Sequence, residues 1–209
     1  MIFRMKKRKK RHFSPKSMPP RRAAAKPGFV RIISGTHRSR RLPVIEAPGL
    51  RPTGDRAREI LFNWLQPYLP GAQVLDAYAG TGALGLEAAS RGAAHVVLVD
   101  NNPQVEEHLR STINAMDFPR TQVVNNTALR YLDFCGQDWD IVFLDPPFSL
   151  EQLDEASLKA ANTIKPGGFL YREYAESNPP AATLPPPWEL FRQKKVGQVI
   201  LELWRLPHD

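Results

Sequence analysis

Three short apolar runs in this chain each end in an aspartate, and each is followed by a loop and a stretch with helical spacing. They are Val74-Leu75-Asp76, His95-Val96-Val97-Leu98-Val99-Asp100 and Asp140-Ile141-Val142-Phe143-Leu144-Asp145. Runs that are apolar throughout, rather than alternating, read as strands covered on both faces. Helical stretches between them then require a parallel sheet with helices on either side. Further strands are expected at 122–125 and 168–173. Helices are expected at 83–91, where Gly92 stops the run, and at 103–116, 129–134 and about 150–163. The segments 188–195 and 198–205 alternate around Val196-Gly197, the pattern of an antiparallel hairpin. The expected fold is α/β: a doubly wound, mostly parallel, Rossmann-like sheet with an antiparallel C-terminal hairpin and a short N-terminal extension.

That extension has its own signals. Val30–Gly35 reads as a short strand entering a turn, and His37–Val44 as the second strand of a hairpin. After Gly49, Thr53 or Asp55 can cap a helix whose apolar positions Ile60, Leu61, Trp64 and Leu65 share a face, with Pro67 and Pro70 ending it. The expected division is a basic disordered arm at 1–28 and one folded α/β domain at 29–209. Within that domain, 29–66 form the hairpin and helix, and 67–209 the Rossmann-like core.

Charge is split along the chain. The net charge is +8, but residues 1–41 hold 15 of the 29 Lys and Arg, and the first acidic residue is Glu46. An acidic body therefore carries a basic arm. Such an arm releases counterions on meeting a polyanion, which makes nucleic acid the leading partner. A transit peptide is the rival reading of an Arg-rich, acid-free start, and Pro15, Pro19, Pro20 and Pro27 oppose the amphipathic helix it needs. A solubilising tail is the other. No apolar run reaches the roughly 18 residues of a bilayer span. A lone cysteine, Cys135, excludes an internal disulfide framework and a multi-thiolate zinc site. A reducing, cytoplasmic setting is expected, and no metal site.

Ligands of such sheets bind beyond the carboxyl ends of the strands, where Asp76, Asp100 and Asp145 fall. Any one of them could simply cap a helix. Their flanking sequence says more. Glycines 80, 82 and 85 satisfy G-x-G-x-x-G, which lets backbone approach a ligand at a helix N-terminus. Asp76, four residues before the first glycine, would repel a pyrophosphate and welcome an ammonium. Asp100 is placed to accept from ribose hydroxyls. S-adenosylmethionine has both parts, and the D-x-x-x-G-x-G run resembles methyltransferase motif I. Asp145-Pro146-Pro147-Phe148 is similar to the [N/D]-P-P-[Y/F/W] motif of methyltransferases that act on exocyclic amino groups of bases. Such an amine is a poor nucleophile. Acceptors at the Asp145 carboxylate and the Pro146 carbonyl shift electron density onto its nitrogen, the prolines hold the turn rigid, and Phe148 offers a stacking face.

With these motifs, residues 31–42, residues 51–64 and Ala79-Gly80-Thr81-Gly82-Ala83-Leu84-Gly85-Leu86-Glu87-Ala88 resemble the bacterial 16S rRNA guanine-N2 methyltransferases over roughly 29–205. The resemblance implies methyl transfer to a guanine N2 in small-subunit rRNA, with the 30S subunit or an assembly intermediate as partner and the enzyme acting as a monomer. It implies a catalytic turn of Asp145, Pro146, Pro147 and Phe148. Asp76, Tyr78, Gly80, Gly82, Asp100, Asn101, Asn126, Thr127 and Thr53 would hold the cofactor. Arg31, His37, Arg38, Arg40, Arg41, Arg51 and Arg56 would face RNA. The chain departs from the pattern at Asn125-Asn126-Thr127-Ala128, where related enzymes place an Asp before the Ala, and in its basic arm. Three rivals stay open. A DNA adenine-N6 methyltransferase would use the same motifs. A nicotinamide enzyme leaves D-P-P-F unexplained, and a non-catalytic ribosome assembly factor leaves the three aspartates without a task.

Overall fold

The computed structural model describes residues 28–44, 54–136, 139–147, 152–181 and 183–208. The basic arm, Arg51, Thr53 and Phe148 lie outside them.

Seven strands form one sheet in the order β5-β4-β3-β6-β7-β9-β8. They are β3 (Gln73–Asp76), β4 (His95–Asp100), β5 (Thr121–Asn125), β6 (Trp139–Leu144), β7 (Ile164–Ala175), β8 (Glu189–Val196) and β9 (Val199–Arg205). The pairs among β3 to β7 are parallel, and β9 runs antiparallel to both β7 and β8. Helices α1 (Asp55–Leu65), α2 (Ala83–Ser90) and α3 (Pro103–Met116) bury Leu61, Phe62, Leu86 and Leu109 against one sheet face. On the other, α4 (Ala128–Phe134) and α5 (Leu153–Ala161) cover Val97, Val142 and Leu170 with Leu132, Leu153 and Ala156. The doubly wound reading holds, and so does the C-terminal hairpin.

Loop chemistry sets where the helices start. Asn102 caps α3 by accepting the Gln104 N–H at 2.9 Å, with Pro103 next in the first turn. Thr127 caps α4 through the Arg130 N–H. Asp55 is not the cap expected of it: Gly54 holds that position without a side-chain bond, and Asp55 opens α1 and pairs with Arg58. Pro67 lies inside a single 3-10 turn, Gln66–Tyr68, that follows α1, rather than ending the helical run outright.

The N-terminal hairpin is shorter than its sequence suggests, with β1 at Phe29–Arg31 and β2 at Arg41–Pro43. Residues 33–37 leave strand geometry because α2 captures their backbone. Buried Glu87 accepts the N–H groups of Ile33 and Ser34 at 2.7 and 3.0 Å. Ser90 accepts the His37 N–H through Oγ and the Thr36 N–H through its carbonyl. Gly35 makes this approach possible: its φ is +84°, and a Cβ there would lie 1.8 Å from the Ser90 carbonyl oxygen. In β7, Lys165-Pro166-Gly167-Gly168 looks like a turn in sequence, yet the strand runs through it with a register shift against β6.

Candidate active site

Register brings the rim residues together. Asp76 pairs with Phe143 and Phe143 with Tyr171, while Leu144 pairs with Arg172, so Asp145 leaves β6 beside Glu173 of β7. Alternation then places Asp76, Asp145 and Glu173 on the α1–α2 side of the sheet on three neighbouring strands, with Asp145 and Glu173 two residues beyond the level of Asp76.

Asp76 is the deepest of them, 1% exposed. Its Oδ2 accepts the Gly85 N–H at 2.9 Å, and its Oδ1 is buried with no hydrogen-bond partner. Burial pushes its pKa up to about 7, and the charges of Asp145 and Asp100 add to the rise against the pull of the Gly85 and Tyr78 amides. Gly85 itself is fixed by packing: a Cβ would lie 2.2 Å from Leu98 Cδ2 and 3.3 Å from the Asp76 Cβ. The third glycine of the motif thus lets α2 lie directly on β3 and β4, which aims the glycine's own amide at Asp76.

Asp100 organises the loop above β4. Its two oxygens accept the Gly80 and Asn102 N–H groups at 3.0 and 2.9 Å. Asn126 meets the same strand end through its N–H to the Asp100 carbonyl, and its Oδ1 accepts from the Thr127 amide. Asn101 is exposed beside them. Tyr78 is not brought to the Asp76 side. It packs into the α4–α5 core, where burial and the nearby charge of Glu155 push its hydroxyl up to about 12.

The turn after β6 has Asp145 half-buried, Pro146 buried and Pro147 half-buried. A cavity of about 250 Å³ opens beside it, lined by Pro146, Pro147, Leu153, Asp154, Glu173 and Tyr174 among others. Glu173 is a site residue the sequence reading passed over. It is 5% exposed and accepts the Tyr171 hydroxyl at 2.7 Å. Burial first, then the Asp145 charge, pushes it up to about 8. The signal was available, since 168–173 is a predicted strand that ends in a carboxylate, as the other three do.

Of the arginines expected to face RNA, Arg31, Arg38, Arg40, Arg41 and Arg56 are exposed. His37 is committed to the fold: its Nε2 lies 2.8 Å from the Met116 carbonyl oxygen, its Nδ1 2.8 Å from Thr36 Oγ1, and its ring stacks on Phe118. Cys135 is half-buried, and burial raises its thiol. Among the described residues no cluster of His, Cys, Asp or Glu could hold a metal ion, and no helix is long and apolar enough to cross a membrane.

The rim can therefore receive a cation at Asp76, hydroxyls at Asp100, and a hydrogen-bond donor at the Asp145 turn. Comparison with known proteins gives this geometry a lineage. Residues 30–205 match the family model described as "Conserved hypothetical protein 95". Ribosomal RNA small subunit methyltransferase D of Escherichia coli K12 is 43% identical over 183 residues, covering 85% of this chain and 90% of that protein. The chain belongs to this methyltransferase family. The methyltransferase D of Haemophilus influenzae is 39% identical over 85% of this chain and 94% of its own length. A solved methyltransferase-like structure from Escherichia coli superimposes at TM-score 0.80 with 38% identity, covering 87% of this chain and all of that one. In methyltransferase D terms, the three strand-end aspartates and the D-P-P turn sit on one rim of one sheet, as a transfer reaction between two bound molecules requires.

Proposed function

We propose that this chain transfers a methyl group from S-adenosylmethionine to the exocyclic N2 of a guanine in 16S rRNA of the small ribosomal subunit. The observation that carries the proposal is the Asp145-Pro146-Pro147 turn standing one strand away from a buried carboxylate oxygen without a hydrogen-bond partner, Asp76 Oδ1. A buried acceptor without a partner is costly, and a cationic ligand group relieves that cost. The methionine ammonium fits Asp76, and the ribose hydroxyls fit Asp100. Asn126 and Thr127 border the place left for the adenine, and Gly80, Gly82 and Asn101 line the loop. Thr53 and Phe148 complete the assignment on sequence grounds.

When bound, the cofactor supplies an electrophilic methyl on a sulfonium. The chain's own part is to position and polarise the amine. The Asp145 carboxylate and the Pro146 carbonyl accept the two N–H bonds, which raises electron density on nitrogen as it attacks in line. No strong base is needed, because the amine becomes acidic as it gains the methyl and Asp145 stands next to the departing proton. Pro147 keeps the carbonyl aimed, since neither proline offers a competing N–H.

Arg31, Arg38, Arg40, Arg41, Arg51 and Arg56 supply phosphate contacts with 16S rRNA in the 30S subunit or a precursor, and the enzyme acts on it as a monomer in the cytoplasm. The basic arm adds positive charge for the same polyanion, and its deletion is expected to weaken RNA binding and flatten its salt dependence.

The test is transfer of labelled methyl to 30S particles that lack the modification, followed by nucleoside analysis. Labelled N2-methylguanosine is the expected product. Intact cofactor binding with no label on 30S particles or naked rRNA would point to DNA or another RNA. Loss of cofactor binding as well would favour a non-catalytic assembly role.

A further inference from the structure

Glu173 has no task in the reaction as derived so far, although its placement costs the fold a buried carboxyl beside another. It lines the same cavity as Pro146 and Pro147, follows Asp145 in strand register, and keeps one oxygen occupied by the Tyr171 hydroxyl. A group this close to the turn that takes the amine must face whatever part of the base lies next to that amine. In guanine the neighbour of N2 is the N1–H donor, followed by the O6 acceptor.

We propose that Glu173 is the residue that makes this site choose guanine, by accepting the N1–H and, when it holds a proton, donating to O6. The proposal rests on the guanine-N2 reading above and deepens it. A carboxyl is the side chain that can present an acceptor and a donor side by side at that spacing. Its surroundings favour the protonated form: burial and the Asp145 charge both oppose ionisation, and among the described residues the Tyr171 hydroxyl is the donor that works against them. Adenine brought to the same turn by its amine would present a ring acceptor where guanine presents N1–H. Selection between purines would then come from a strand residue behind the D-P-P turn rather than from the turn, which reads any amino group.

The experiment compares 30S particles carrying guanine or 2-aminopurine at the methylated position, once that position is mapped. 2-Aminopurine keeps the N2 amine but lacks both N1–H and O6. The wild-type enzyme should prefer guanine by roughly 10²-fold in kcat/KM, the range expected when a polar site is left unpaired. Glu173→Leu should lose most of its rate on guanine and bring the ratio near one. Glu173→Gln, which offers the same acceptor and donor pair without charge, should restore the preference. Cofactor binding by each variant reports folding, a role that would move both substrates together. A wild-type enzyme that methylates 2-aminopurine as fast as guanine overturns the assignment without any variant, as does a folded Glu173→Leu that keeps the ratio. No N2 transfer by the wild type to guanine would instead remove the guanine reading on which the proposal rests.

Discussion

Glu202 on β9 and Glu173 on β7 are both 5% exposed and stand one residue apart in the register of neighbouring strands, yet the fold treats them in opposite ways. Four donors converge on Glu202: Arg172 Nε at 2.6 Å, Trp204 Nε1 at 2.9 Å, the Tyr174 hydroxyl at 2.8 Å and Gln193 Nε2 at 2.9 Å. Burial works against its ionisation, but the Trp204, Arg172 and Tyr174 bonds outweigh it and hold the pKa below the usual carboxylate range. Glu173 has Tyr171 and the like charge of Asp145, and its pKa rises. The same contrast separates Glu87, which accepts from Ile33, Ser34 and Arg91, from Asp76, which keeps an orphan oxygen. Paired carboxylates hold this fold together. The under-paired ones sit on the ligand rim, where a bound molecule can complete them.

The largest expected effect comes from breaking a paired one. Glu87→Gln keeps the volume but takes the counter-charge from Arg91, leaves the fully buried Arg58 with Asp55 alone, and removes an acceptor from the N-terminal segment. Uncoupling a buried pair in this way costs about 3–5 kcal/mol. Chemical denaturation should show the loss in the midpoint, and an unchanged midpoint would mean that Glu87 is not what latches residues 33–37 to α2.

Asp145→Ala attacks the ligand rim instead. Removing an acceptor that works chiefly in the transition state should lower kcat by about 10²–10³. Cofactor affinity should stay near the wild-type value, and stability should fall little. Retention of most activity would show that Asp145 does not polarise the amine.

These outcomes explain how far sequence could reach. The parallel strands were legible because β3, β4 and β6 are apolar on both faces, and the rim aspartates were legible because they close those runs beside a glycine loop and a proline turn. Glu87 and Arg58 were not, since on a helix a charged residue reads as solvent-facing until a second segment arrives to pair with it. Residues 30–35 read as a short strand because Ile32-Ile33 favours one, with 37–44 as its hairpin partner, and tertiary capture of 33–37 by α2 overrides that preference. Glu173 was written into a predicted strand end but lacked a proline or glycine beside it to mark it as functional. Tyr78 went to the far side of the sheet because β3 ends at Asp76, and the turn at 77–78 breaks the alternation that would have put it on the Asp76 side.

Asp76 sharpens the comparison through pH. Its folded pKa, about 7, lies above the ordinary value of 3.8, so the fold keeps a proton that the unfolded chain releases. The stability from that proton is full below about pH 4 and is lost as pH rises to about 7. A cationic ligand at Asp76 requires the ionised form, so binding should release a proton near neutrality. The Kd for S-adenosylhomocysteine, which retains the ammonium, should weaken about tenfold between pH 8 and pH 6. Asp76→Asn should bind more weakly and lose that pH dependence. Calorimetry that finds the same wild-type affinity at both pH values would remove Asp76 from the ammonium site.

The smallest effect belongs to the exposed arginines, and it carries the contrast over to the basic residues. Arg58 is fully enclosed and donates to the Arg31 carbonyl and to Asp55, so its charge serves the fold. Arg38 and Arg40 stand exposed on the turn between β1 and β2, on backbone that α2 already holds in place. Neutralising one of them should change stability by less than about 0.5 kcal/mol, because no buried partner is stranded. If that turn meets phosphate, each substitution should still reduce the slope of log K against log salt by about 0.7–0.9, according to whether the contacted RNA is single-stranded or paired. An unaltered slope for Arg38→Ala and Arg40→Ala together would move the RNA surface away from this turn, leaving the latch built by Glu87 and Ser90 as a purely structural device.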